Sequence, residues 1–327
     1  MNPIPPSPRD ALVDLIEQGA LPAEHIPAAV QLAHLHPSLK DWRHFIDKLL
    51  LWLGGLAIVF ALLFFIAYNW TDLGRFAKFG LVQVFMVLSL AVYWRWHQDA
   101  VIAKVALLIT CISLGVLLAL YGQIYQTGAD PWELFFNWAL LMLPWALIAR
   151  FPAIWILWLA LINLSGVLYY QTFGGFWGFM LWSDIGLFWL LLAINIPALI
   201  VWELLSKKLP WLNEAWAVRL IAVGCGIPAT WLALYNIFDD AETLWPLLAW
   251  LLFSAALFFY YRKIKIDVFM LAGGCLSGIV VIVAFIANFL SGGIDEAGIF
   301  LLLALLIIGL SSAAAIWLRK VQREQQA

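Results

Sequence analysis

Apolar residues along this chain do not alternate with polar ones; they run. Stretches of roughly 20 apolar residues, the length a helix needs to cross a bilayer, follow one another from Leu49 almost to the C-terminus, with short polar connections between them. We place ten spans at residues 49–68, 79–96, 103–121, 134–149, 153–170, 185–202, 220–235, 244–261, 268–290 and 299–317. The fourth and fifth are parted only by Arg150-Phe151-Pro152, which predicts a tight turn closed by the proline. The alternating pattern of a membrane β-strand is absent. The expected fold is all-α: a polytopic membrane helix bundle of about ten helices.

The polar stretch ahead of the first run predicts a small helical head over residues 1–48. Leu12, Leu15 and Ile16 line one face of a first helix that Gly19 stops, and a second helix runs from Pro22 or Pro27 to His36. Ser38 followed three residues later by Asp41 has the form of a capping box and predicts a helix that continues into the first span. The resulting division is head 1–48, bundle 49–318 and tail 319–327. His34 and His36 are two residues apart and so face different sides of a helix, which argues against a metal site with His25. The head has no basic stripe, so nucleic acid is not an expected partner.

Composition agrees with a chain whose main partner is the lipid bilayer. Hydrophobic residues make up 65% of the 327, charged residues 12%, and the mean hydropathy is +0.94, whereas soluble domains carry about 25% charged residues. Charge distribution then orients the bundle. With ten spans, sixteen lysines and arginines fall on the side of the termini and only Arg75 and Lys78 on the other. Basic residues flanking spans stay in the cytoplasm, so both termini are expected to be cytoplasmic (N-in, C-in). The opposite face is acidic, with Asp72, Asp130, Glu133, Asp184, Asp239, Asp240, Glu242, Asp295 and Glu296.

The middles of the spans contain no histidine and no charged residue. That argues against intramembrane Ser–His hydrolysis, haem ligation and ion-coupled pumping, each of which needs such groups at depth. Cys111, Cys225 and Cys275 lie in apolar runs and read as small hydrophobes; no metal or other cofactor is expected. Mid-span polar groups reduce to Asn137, Asn163, Asn195, Asn288 and a few serines, which read first as bonds between helices. "GCGIP" (Gly224, Gly226, Pro228) reads equally as a broken helix lining a cavity or as close packing with a proline kink. Gly54-Gly55 and Gly273-Gly274 read as packing surfaces.

The most patterned polar stretch is "YGQIYQTGADPWELFFNW", Tyr121–Trp138, at the acidic end of the third span. Its aromatic residues suit a membrane interface. Gln123, Gln126, Thr127 and Asp130 beside Gly122 and Gly128 are not explained that way; with Glu133, and with Asn69 and Asp72 after the first span, they form a candidate ligand-binding set. The sequence "FIAYNW" closing the first span, followed by "YGQIYQTGADPWELFFNWALLMLPWAL", resembles the bacterial inner-membrane proteins catalogued as domain of unknown function 2157, over about residues 9–150. Residues 49–149 are then the family-like core and 153–318 the remaining spans. The resemblance implies a multi-pass protein of a bacterial inner membrane, whose acidic face is periplasmic, and no activity.

Three functions stay open. The first is a non-enzymatic protein whose periplasmic polar and aromatic site takes another envelope protein or a glycoconjugate. The second is a small-molecule or lipid transporter or flippase, which a cavity beside Gly224–Pro228 would favour. The third is a transferase acting on a lipid-linked substrate, with Asp239, Asp240 and Glu242 as its acids.

Overall fold

The computed structural model describes residues 8–33, 37–96, 100–173, 185–238, 243–290 and 296–326. Every regular element among them is a helix. Two short ones open the chain, α1 (Pro8–Glu17) and α2 (Ile26–Leu32), and Gly19 leaves α1 at φ +68, a conformation open to glycine without steric cost. The expected capping box starts α3 (Leu39–Tyr68): the Asp41 N–H donates to Ser38 Oγ at 3.2 Å while the Ser38 N–H donates to Asp41 Oδ2 at 2.8 Å. Both ends of that exchange quench backbone donors that a helix start leaves open. α3 then passes residues 48 and 49 unbroken, so the end of the head and the first span are one 30-residue helix.

The remaining helices are α4 (Arg75–Arg95), α5 (Ala100–Tyr125), α6 (Pro131–Ala149), α7 (Pro152–Phe173), α8 (Gly186–Ser206), α9 (Ala215–Phe238), α10 (Trp245–Phe259), α11 (Val268–Leu290) and α12 (Glu296–Gln326). A π-helical turn, Tyr260–Ile264, extends α10. Among the described residues ten helices, α3 to α12 with α10 counted together with its π turn, are long and apolar enough to cross a membrane, in the positions the apolar runs predict. Arg150, at φ 46, ends α6 and Pro152 is the first residue of α7, as expected of Arg150-Phe151-Pro152. Pro144 sits inside α6 without ending it.

Short connections make sequence neighbours spatial neighbours: α4 packs on α5, α6 on α7, α8 on α9 and α11 on α12. Contacts of α3 with α5 and of α9 with α11 close each half. Glycines seat many of these crossings. A Cβ on Gly55 would lie 2.9 Å from Val105 of α5, one on Gly274 3.0 Å from Phe258 of α10, and one on Gly115 2.5 Å from the Trp138 ring of α6. Close backbone approach through small residues is how helices gain dispersion contacts where lipid is as apolar as leucine. In the pairs Gly54-Gly55 and Gly273-Gly274 only one member has this role; a Cβ on Gly54 or on Gly273 would meet nothing within 4 Å.

Polar groups inside the bundle staple neighbouring helices. Trp138 Nε1 donates to the Cys111 carbonyl at 2.8 Å and Trp158 Nε1 to that of Ala139 at 3.1 Å, tying α5 to α6 and α6 to α7. Between the halves, Asn163 of α7 and Asn195 of α8 exchange amide hydrogen bonds of 3.2 and 2.6 Å. The second hydrogen of each amide goes to its own helix, at Leu159 and Leu191. α7 contributes to both principal cores, through Ile154 and Leu161 on one side and Leu159 on the other.

One expectation changes, and one segment gains a structure. α9 is continuous from Ala215 to Phe238 through Gly224, Gly226 and Pro228, so the broken-helix reading of "GCGIP" is replaced by the packing one. The cause is visible at Gly224, where an added Cβ would come within 3.3 Å of Asn195 Oδ1. The C-terminal segment 319–326 is a continuation of α12, and it is docked: Val321, 1% exposed, is the one buried side chain among the described residues of that helix.

Gly115→Ala should force the Trp138 ring off α5 and break its bond to Cys111, lowering stability by about 1–3 kcal/mol as overpacking does. Gly80→Ala, with open space at its Cβ position, should be neutral or mildly stabilising through helix propensity. Thermal unfolding in detergent, read by loss of the monodisperse chromatographic peak, distinguishes the two; equal midpoints would contradict the packing.

Candidate functional site

The candidate set at the acidic end is built on helix termini. Asn69 caps α3 and donates one of its two side-chain amide hydrogens to the Phe65 carbonyl at 2.8 Å, a bond within its own helix end. Asp72 is exposed in the turn before α4. Lys78, one of two basic residues predicted at this end, is only 6% exposed and holds its ammonium 3.6 Å from the Trp70 ring centroid. That cation–π contact closes the α3–α4 turn. Phe79 stacks on Tyr125 with centroids 6.1 Å apart, bringing the start of α4 beside the end of α5.

Gln123 is exposed in the last turn of α5, and Gln126 follows the helix at φ 46, a left-handed conformation that costs a non-glycine residue. The Thr127 N–H donates back to the Gly122 carbonyl at 3.4 Å. Asp130 is the residue before α6, its carboxylate making no capping bond, and Glu133 lies in the first turn. Trp132 is turned away from the others, edge-on to Tyr169 at 5.0 Å. The fold therefore gathers Asn69, Asp72, Gln123, Gln126, Thr127, Asp130 and Glu133 at one end, but among the described residues no hydrogen bond joins their side chains. Asp239, Asp240 and Glu242, like His34 and His36, lie outside the described residues.

The opposite end holds a polar cluster that the run of basic residues concealed. Glu203, in the last turn of α8, is 7% exposed. Its carboxylate accepts from Tyr261 Oη at 2.8 Å, from Tyr260 Oη at 3.2 Å and from Lys265 Nζ at 2.9 and 3.1 Å. The π-helical turn explains how two successive tyrosines reach one carboxylate: its wider winding brings both rings round to the same side, and such turns recur at functional sites. Nearby, Arg219 of α9 meets Asp267 through two bonds of 3.2 Å, and Arg262 pairs with Glu324 of α12. These residues were legible only as topological markers. The overlooked signal is an acid on the basic side, Glu203 in "WELLSKK" and Asp267 in "YYRKIKID".

Two grooves flank α10. The first, of about 370 Å³, lies between α9, α10 and α11 and runs from Arg219 and Phe269 to Leu234 and Val280, past Gly226 and Gly273. A directed chain of hydroxyls marks its wall: Trp250 Nε1 donates to Ser277 Oγ at 2.8 Å, Ser277 pairs with Thr230 at 2.7 Å, and Thr230 Oγ1 donates to the Gly226 carbonyl at 2.7 Å. The second, of about 460 Å³, lies between α8 and α10 with its π turn; Ile196 and Phe253 are at one end, Glu203, Lys207 and Tyr260 at the other.

Residues 14–155 match the family model described as "Predicted membrane protein (DUF2157)". The matched segment therefore holds the Gln123–Glu133 stretch, and both grooves and the Glu203 cluster lie beyond it. No curated protein and no solved structure matches the chain. Among the described residues no group of histidine, cysteine, aspartate and glutamate is arranged to hold a metal ion.

The Glu203 cluster should respond asymmetrically. Lys265→Met strands a carboxylate that is almost fully buried and should cost about 3 kcal/mol. Glu203→Gln keeps one acceptor oxygen for a tyrosine hydroxyl and offers the other tyrosine an N–H that its oxygen can accept, while Lys265, with its side chain 40% exposed, turns to water; about 1 kcal/mol is expected. Unfolding midpoints of the two variants in detergent give the order, and a costlier Glu203→Gln would refute it.

Proposed function

We propose that the protein is a non-enzymatic, multi-pass protein of a bacterial inner membrane, both termini cytoplasmic, that holds the hydrocarbon chain of a bilayer lipid in the groove beside Gly226. One observation carries this reading: the groove opens sideways on the bundle's apolar surface. Ile227 is 56% exposed, Trp231 52% and Leu276 63%, so what enters comes from lipid and not from water. Gly226 and Gly273 leave the space, since a Cβ at either meets nothing within 4 Å. At 1.5 Å per residue the groove follows α11 from Phe269 to Val280 for about 16 Å, close to one leaflet of a ~30 Å hydrocarbon core. That reach supports holding a chain within one leaflet over passing it across, which is the transport form of the same reading. The distribution of lysine and arginine supports the orientation.

Gly226→Leu combined with Gly273→Leu fills the groove without meeting backbone. In membranes containing a phospholipid with a photoreactive acyl chain, the parent protein should cross-link within residues 219–234 and 269–280, and the double variant should lose most of that yield with its unfolding midpoint unchanged or raised. Unchanged labelling, or labelling spread evenly over the lipid-facing helices, would sink the proposal.

A second reading rests on the DUF2157 segment. Gln123 and Gln126 present amides to water, Gln126 on backbone at φ 46, and Asp130 adds a half-exposed carboxylate. Such groups beside Tyr121 and Tyr125, whose rings are 4.9 Å apart, suit the hydroxyls and faces of an envelope glycoconjugate, or another envelope protein. Alanine at all three positions should leave insertion and stability intact and fail to restore envelope integrity in a deletion strain; full complementation at equal protein level would remove this reading.

A further inference from the structure

The groove between α8 and α10 has a chemistry of its own. Its walls are apolar from Ile196 and Phe253 onward, and it also opens to lipid, with Ile200 53% exposed, Leu204 58% and Phe259 64%. From Ile196 to Lys207 it follows α8 for about 16 Å, one leaflet's depth. At the end of that path it changes character, as a phospholipid does where its chains meet its headgroup.

The charge there is settled by hydrogen bonding. Glu203 would repel an anion if its carboxylate were free, but Lys265 Nζ binds both of its oxygens and the hydroxyls of Tyr260 and Tyr261 complete its shell. Lys207, one turn later on the same face of α8, lines the groove and is exposed, its Nζ 6.0 Å from the Tyr260 ring centroid. No salt bridge to it or to the adjacent Lys208 occurs among the described residues. The acid is neutralised in place and the positive charge is left over at the groove's mouth. Basic pockets between helices at the cytoplasmic surface select anionic lipid headgroups.

We propose that this groove is a binding site for an anionic phospholipid, one acyl chain lying along Ile196–Leu204 and the headgroup phosphate meeting Lys207. The groove shares Phe253 and Leu257 with the one beside Gly226 but is otherwise walled by different residues, and either proposal can fail without the other. The Glu203–Lys265 pair neutralises the inner polar end, so that the charge left there is that of Lys207.

The test uses the full-length protein, stripped of lipid in detergent and titrated with phosphatidylglycerol or with phosphatidylcholine of the same acyl chains, bound lipid being counted by native mass spectrometry. The parent protein should retain phosphatidylglycerol in preference. Lys207→Ala should weaken that lipid about five-fold, the worth of one basic residue near a charged surface, and leave phosphatidylcholine unaffected. Lys40→Ala, the same charge change at the exposed start of α3, should alter neither. Ile200→Trp should reduce both lipids, since it blocks the chain and not the headgroup. Equal retention of the two lipids by the parent, or an undiminished preference in Lys207→Ala, overturns the proposal. Displacement of the lipid by free glycerol phosphate would overturn the role of the groove and leave only an anion site.

Discussion

Inside a bilayer a polar group cannot fall back on water, and the exchange between Asn163 and Asn195 is where this constraint shapes the whole molecule. Each amide hydrogen of the pair is donated, one across to the other helix and one back to its own. The interaction is worth on the order of 1 kcal/mol by membrane double-mutant measurements, yet its geometric demand is larger than its energy. It fixes the register of α7 against α8, and Gly224 of α9 lies so close that an added Cβ would come within 3.3 Å of Asn195 Oδ1 and press the pair aside. Three helices from the two halves are set by one pair of amides. α7, which belongs to both cores, then carries that register into the DUF2157 segment.

The same rule governs the tryptophans. An indole N–H in hydrocarbon needs an acceptor, and in a helical protein the abundant acceptors are backbone carbonyls with a spare lone pair. Trp138, Trp158 and Trp202 each find one on another element, so a bulky apolar side chain also becomes a directional fastener. Trp250 reaches a serine instead and starts a chain of hydroxyls that ends on a carbonyl. Among the described residues, buried side-chain atoms without a partner are confined to Ser113, Trp132 and Trp155.

Fold and site differ in how far the chain alone reveals them. Span number, the turn at Arg150–Pro152 and the capping box at Ser38 were readable because each rests on local chemistry: an apolar run, a proline, a serine three residues before an aspartate. Helix ends were read short, since charged residues such as Glu203 and Arg219 looked like limits of apolar runs and are in fact the last and first turns of α8 and α9. Of the grooves, a cavity near Gly224–Pro228 was one open reading of the chain, and the one between α8 and α10 had no signal in it. The groove beside Gly226 arises from which side of Gly226 and Gly273 faces a neighbour, and composition cannot show this when glycines of the same runs, Gly224 and Gly274, are packed against side chains. The Glu203 cluster joins residues about sixty positions apart, and no periodicity encodes that meeting.

The docked end of α12 has a different kind of consequence. Over most of its length this helix presents a broad apolar surface, and its buried anchor, Val321, comes only five residues before its last described residue, Gln326. Arg262 and Glu324 add a second fastening close by. α12 also packs along α11 and through Trp317 and Leu318, yet its one buried side chain among the described residues is in the final turns, so changes there reach its firmest anchorage. The end of α12 is thus a poor place for a fusion or affinity tag, because Val321 shares a core with Tyr261 and Glu324 pairs with Arg262.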